Sequence, residues 1–151
     1  IKLMKVIIDT NIIINVLLNP SKSSASFKII ELCLAGKLVP QISAALFAEY
    51  RDVTSREQIV TRSVYTKREI NQILDGFLNT CKWVKINFLW RPNLKDEGDN
   101  HLVDLAVASN AEVIITYNLK DLMGGELRFD WQSMAPDQFL RERFKNGDNN
   151  L

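Results

Sequence analysis

Residues 5–14, Lys5-Val6-Ile7-Ile8-Asp9-Thr10-Asn11-Ile12-Ile13-Ile14, constrain the fold of this chain more than any other stretch. Val6-Ile7-Ile8 is β-branched and apolar without alternation, the pattern of a strand covered on both faces. Such strands belong to parallel sheets sandwiched between helices. Asp9 falls where the strand ends, and Thr10 and Asn11 open a helix over 12–18. In open α/β sheets, ligands bind outside the carboxyl ends of the strands, so an acid at this position is a candidate functional group. Asp is equally at home as a helix N-cap, and this stretch alone does not separate the two roles.

Further along, 19–24 is a polar break. A helix is predicted over Ala25–Ala35, with Phe27, Ile30 and Leu34 at helical spacing and Gly36 closing it. Lys37–Ile42 reads as a second strand, and Ser43 is placed to cap a helix carrying Ala44–Tyr50. Residues 51–72 are rich in charge, with Arg51, Arg56, Arg62, Lys67 and Arg68 among acids and hydroxyls. Thr66-Lys67-Arg68-Glu69 fits a capping box before an amphipathic helix with Ile70, Ile73, Leu74, Phe77 and Leu78. Trp83–Ile86 is a short strand, 91–98 a loop, 99–109 a helix and Val113–Thr116 another strand. A turn at Gly124-Gly125, a strand near Phe129–Met134 and a helix from Pro136 complete the order.

This β-α alternation predicts one mostly parallel sheet with helices on both faces. At 151 residues, with no internal repeat or linker, the chain is expected to form a single domain over 1–151. Its core would span about 4–143, with 146–151 a frayed tail. No apolar run is long enough to span a bilayer and no signal-peptide pattern opens the chain, so a cytoplasmic protein is expected, with no membrane partner. Cys33 and Cys81 lack metal-ligand spacing and fit reduced core residues. The net charge of +1 carries no overall nucleic-acid signature but does not forbid a local basic groove.

Several acids stand where solvated acids are not expected. Glu49 borders the apolar face set by Ala45, Leu46 and Val53, although an edge pairing with Arg51 or Arg56 would also account for it. Asp99 heads the buried stripe of Leu102, Val103 and Ala106, where it could also cap the helix. Asp104 lies on the same helix among apolar neighbours. Asn118 and Asp121 follow the strand ending at Thr116, so several element ends would deliver oxygen donors to one rim. Like charges 4 Å apart repel by about 4 kcal/mol at an effective dielectric of 20, so gathered carboxylates protonate or recruit a cation. With oxygen donors and no His or Cys placed beside them, that cation would be Mg²⁺ or Mn²⁺. Such a site suits phosphodiester hydrolysis.

These residues together resemble a known family. Val6-Ile7-Ile8-Asp9-Thr10-Asn11, a Glu in the helix after the second strand, Lys95-Asp96-Glu97-Gly98-Asp99-Asn100, and Ile114-Ile115-Thr116 with Asn118 and Asp121 are similar to the PIN domain. Leu17-Leu18-Asn19-Pro20-Ser21 and Leu46–Val53 further resemble the prokaryotic PIN toxins (VapC-like) of toxin–antitoxin modules. The resemblance implies a three-layer α/β/α fold and a Mg²⁺- or Mn²⁺-dependent ribonuclease held in check by an antitoxin protein. By position, Asp9, Glu49 and Asp99 would bind metal, Asp104 would bind directly or through water, Thr10 and Asn11 would orient Asp9, and Thr116 would shape the rim. The family often carries Asp where this chain has Asn118, and Asn118 and Asp121 share that fourth corner.

The expected substrate is RNA, with Arg51, Arg56, Arg62, Lys67 and Arg68 lining its path, meeting an antitoxin or forming a solvated face. His101, the one histidine, is expected at the surface or at a helix start without a catalytic role. The alternative is a catalytically weak or inactive PIN-like module that binds RNA or protein. A phosphoacceptor domain is disfavoured because no Lys ends a later strand; Lys120 lies in a loop. Phe77, Leu78, Trp83, Phe88, Leu89 and Trp90 would serve either a core or a homodimer contact.

Overall fold

The structure, a computed structural model, describes residues 3–87, 100–119 and 131–144. In chain order the strands are β1 (Met4–Ile8), β2 (Leu38–Ile42), β3 (Lys82–Trp83), β4 (Val113–Ile115) and β5 (Gln132–Met134). The helices are α1 (Thr10–Leu18), α2 (Ala25–Leu34), α3 (Ala44–Thr54), α4 (Glu57–Arg62), α5 (Lys67–Leu78), α6 (Asn100–Ser109) and α7 (Pro136–Arg143). Among the described residues the strands form one sheet in the order β3-β2-β1-β4-β5, and every pairing is parallel.

The opening apolar run is the central strand. Val6, Ile7 and Ile8 are fully buried, flanked by β2 on one side and β4 on the other. Steps from β1 to β2 and from β2 to β3 move one way along the sheet, and the step from β3 to β4 moves back. Right-handed crossovers then put α6 on the opposite face from α1–α5. Helix α6 packs on β1, β2 and β4, while α2 packs on β2, α5 and α7. The result is the expected three-layer α/β/α arrangement with a parallel sheet in the middle.

Local signals explain most element ends. Ser24 Oγ accepts from Phe27 N (3.2 Å) to start α2, and Ser43 Oγ accepts from Leu46 N (3.2 Å) to start α3. At the end of α2, Gly36 adopts φ +75°, and Gly36 N and Lys37 N donate to Cys33 O (3.0 Å) and Leu32 O (2.9 Å). That is a Schellman cap, which needs a residue tolerant of the left-handed region. The Thr66–Glu69 capping box forms as its sequence requires, with both bonds in place.

Pro40 lies inside β2, an inner strand, where proline is unusual. Val84 N donates to Ile42 O (2.8 Å), so the polar groups of even-numbered residues in β2 face β3. The donor that Pro40 lacks is therefore on the β3 side, and β3 pairs only with Gln41 and Ile42. The ladder to β1 loses nothing.

Three expectations shift. The charged stretch after α3 contains a short helix, α4, whose one buried side chain is Ile59. The third strand is Lys82–Trp83 rather than Trp83–Ile86, because only two residues find a partner on β2. The strand expected near Phe129–Met134 is Gln132–Met134. The turn at Gly124-Gly125, the loop 91–98 and the tail 146–151 lie outside the described residues. No helix among the described residues is long and apolar enough to cross a membrane.

Candidate active site

Asp9 follows the last residue of β1 and is the N-cap of α1, with φ −65° and ψ 149°. Capping and burial coincide, because only 6% of the residue is exposed. Its Oδ1 accepts from Thr10 N (2.7 Å); its Oδ2 accepts from Thr116 Oγ1 (2.7 Å) and Asn11 Nδ2 (3.3 Å). Thr116, just past β4, reaches Asp9 because the two strands are neighbours and Asp9 N donates to Ile115 O (3.0 Å). Asn11 Oδ1 in turn accepts from Tyr117 N (3.3 Å). Thr10, Asn11 and Thr116 therefore surround Asp9, and its carboxylate is held in one orientation.

Glu49 comes from α3. The Thr10 hydroxyl donates to Glu49 Oε2, so one threonine binds Asp9 through its backbone and Glu49 through its side chain. Tyr50, the next residue on α3, is buried and its hydroxyl donates to Ile8 O, the carbonyl just before Asp9. Helix α3 is thus fastened to the end of β1 at the point where the two acids meet. Arg51 pairs with Asp75 (2.7 Å) and Arg56 with Asp52 (2.7 Å), so neither arginine forms the expected edge pair with Glu49, although the Arg56 charge still helps to lower its pKa.

His101 corrects the expectation that no histidine lies beside the acids. It stands in the first turn of α6, as expected, but its side chain is only 18% exposed, and Nε2 lies 3.6 Å from Glu49 Oε1. A donor nitrogen is therefore beside the acids after all. The available signal was the spacing of His101 and Asp104, which share one helical face at i, i+3. Asp104 is buried (3% exposed) and lines the same cavity as His101. Asn118 is exposed; its backbone N–H donates to Thr116 Oγ1 (2.9 Å). Asp99 and Asp121 lie outside the described residues, and so does any contact they make.

The two carboxylates titrate in opposite directions. Burial pushes Asp9 above its ordinary value; the Thr116 hydroxyl pulls it back in part, and the neighbouring Glu49 charge pushes it up again. For Glu49 the contact with His101 is the largest influence and lowers the pKa, burial opposes it, and the Thr10 bond lowers it further. A buried acid raised by a neighbouring carboxylate is a group that a cation would relieve.

A three-layer α/β/α sheet with an oriented acid at the end of its central strand, and a second acid joined to it, defines a protein with an acidic site at its strand ends. The PIN domain family model matches residues 5–120, and the chain belongs to that family. PIN domains are generally nucleases, and their nucleases generally use divalent metals. No curated protein matches the chain. The donors here fit a hard divalent cation in kind, being carboxylates fixed by hydrogen bonds. Among the described residues, no three of His, Cys, Asp and Glu come close enough together to hold an ion. Asp9 and Glu49, linked through Thr10, are the two acids that the described residues bring together at this end of the sheet.

Proposed function

We propose that this PIN domain is a metal-dependent endoribonuclease and the toxin component of a toxin–antitoxin module, with Mg²⁺ or Mn²⁺ as its cofactor. The observation that carries the reading is the buried, triply hydrogen-bonded Asp9 carboxylate, joined through Thr10 to Glu49. Orienting an acid this thoroughly costs conformational freedom and desolvation without benefit to the core, which is usual where function requires it.

In this reading Asp9, Glu49 and Asp99 hold the ion, Asp104 assists directly or through water, and Asn118 or Asp121 completes the set. The ion supplies Lewis acidity toward water and a scissile phosphate, with charge to offset what develops on the phosphoryl oxygens. Thr116 and Asn11 keep Asp9 facing the rim, Thr10 fixes Glu49 relative to it, and His101 keeps Glu49 ionised. No side chain acts as a covalent nucleophile. The chain is read as a single domain over 1–151 acting in the cytoplasm, with an antitoxin protein as partner; its oligomeric state is open, since core packing accounts for the apolar residues as well as a homodimer contact does. Those assignments rest on the resemblance of the motifs.

The test is cleavage of single-stranded RNA by the purified chain with Mn²⁺, beside Asp9→Asn. Cleavage by the first and loss in the second supports the reading; equal cleavage by both overturns it. One observation favours a second reading, a binding module with little catalysis: the exposed Asn118 brings no charge to a corner where the family often has Asp. Calorimetric titration with Mn²⁺ separates the two, since an inactive module shows no saturable heat.

A further inference from the structure

Among the described residues β3 is the edge strand of the sheet, and α6 packs mainly on β1, β2 and β4. There a cavity of about 610 Å³ opens, lined among others by Ser43, Trp83, Lys85, His101 and Asp104. Its size is in the range that takes small organic groups. His101 is at once a wall of this cavity and the neighbour of Glu49, so the cavity adjoins the acidic site.

Trp83 is 55% exposed, the most exposed large apolar side chain among the described residues. It is not loose. The Phe47 ring stands 5.2 Å from the indole at 52°, the Arg51 guanidinium lies 5.5 Å over Phe47, and Asp75 holds Arg51 at 2.7 Å. This column braces the indole, and Trp83 itself is among the residues that line the cavity. An exposed Trp alone needs no explanation. A braced Trp lining an open cavity, with the Lys85 cation in the wall and a carboxylate site alongside, matches a flat ring carried on an anionic backbone.

We propose that this cavity is a nucleobase subsite: an unpaired base of single-stranded RNA stacks on Trp83, and its phosphate lies toward Lys85. The proposal rests on the nuclease reading for its substrate class. Stacking on a protein aromatic needs a base free of its own helix, so the site selects single strands.

The test uses the full chain in EDTA, a fluorescent RNA hexamer and a series with one abasic position at a time, read by anisotropy, followed by cleavage kinetics with Mn²⁺. Trp83→Ala is expected to weaken Kd about tenfold and Trp83→Phe to keep most of the affinity. One abasic position should weaken the wild type by a similar factor and leave Trp83→Ala unaffected. Trp83→Ala binding within twofold of wild type overturns the subsite. So does a change in molecular mass by light scattering with RNA binding intact, which would assign the indole to a contact between copies. If the wild type binds as expected but fails to cleave, the nuclease reading falls and the subsite stands. If Trp83→Ala cleaves with unchanged KM, the subsite falls and the nuclease stands.

Discussion

The hydroxyl of Tyr50 offers the sharpest check on how the site is built. It donates to Ile8 O, and both residues are buried to 1% exposure or less, so water cannot take its place. Tyr50→Phe keeps the ring, its edge-to-face contact with Phe77 (5.8 Å, 70°) and nearly all of its volume. What is lost is one donor, leaving a buried carbonyl unpaired at a cost of about 1–3 kcal/mol. For a chain of this size each kcal/mol moves Tm by about 2–4 °C, so the variant should melt roughly 2–12 °C lower. The functional consequence is separable, because Glu49 adjoins Tyr50 on α3 and Asp9 adjoins Ile8. Loosening α3 from β1 shifts the two acids relative to each other, and small misplacements cost up to about 100-fold in rate. Calorimetry of both proteins, with RNA cleavage below the lower Tm, reads both effects. An unchanged Tm would refute the assignment of the bond. A lowered Tm with unchanged kcat would refute the claim that it positions Glu49.

Other outcomes follow from the charges. His101→Ala should move the Glu49 carboxyl up toward its ordinary value, since contact with His101 is the largest influence lowering it; a ¹³C NMR titration unchanged by the substitution would remove that link. In metal-free protein, native Asp9 holds its proton more tightly than in the unfolded chain. Its contribution to stability is full below the ordinary carboxylate value and is lost as pH rises through the raised native one. Asp9→Asn abolishes that loss, so its stability relative to wild type should grow with pH across this window in urea unfolding with EDTA, and a flat difference would contradict it. Burial pushes the Cys81 thiol up to about 12 and Cys33 higher still. The folded protein should therefore resist a thiol-specific disulfide reagent at pH 8 and release two equivalents on denaturation; fast reaction of either thiol before unfolding would be inconsistent.

Elements bounded by local chemistry were legible in the sequence. Ser43, Thr66 and Gly36 each act within a few residues of themselves, and the caps they predict form. The buried strand was equally plain, because three consecutive β-branched residues suit few other surroundings. Strand β3 was misjudged because its extent depends on how much of β2 remains to pair, which Trp83–Ile86 does not encode. Helix α4 was missed because six residues with one buried side chain leave too little periodicity to detect. The helix-start position of His101 was legible, but its contact with Glu49 was not, because the two residues are far apart in sequence and meet only when α6 packs against α3.

The chain by itself therefore determined that Asp9 ends a buried parallel strand and that Glu49 borders an apolar face, since both follow from short-range patterning. It could not settle whether Asp9 is a cap or a functional acid. The tertiary structure makes it a cap and more, because Thr116 reaches it across neighbouring strands, while Thr10 and Tyr50 tie it to α3. The physical reason is that a hydrogen bond to a carboxylate depends on position in space within about 3 Å, and only the folded sheet brings residues over a hundred positions apart to that distance.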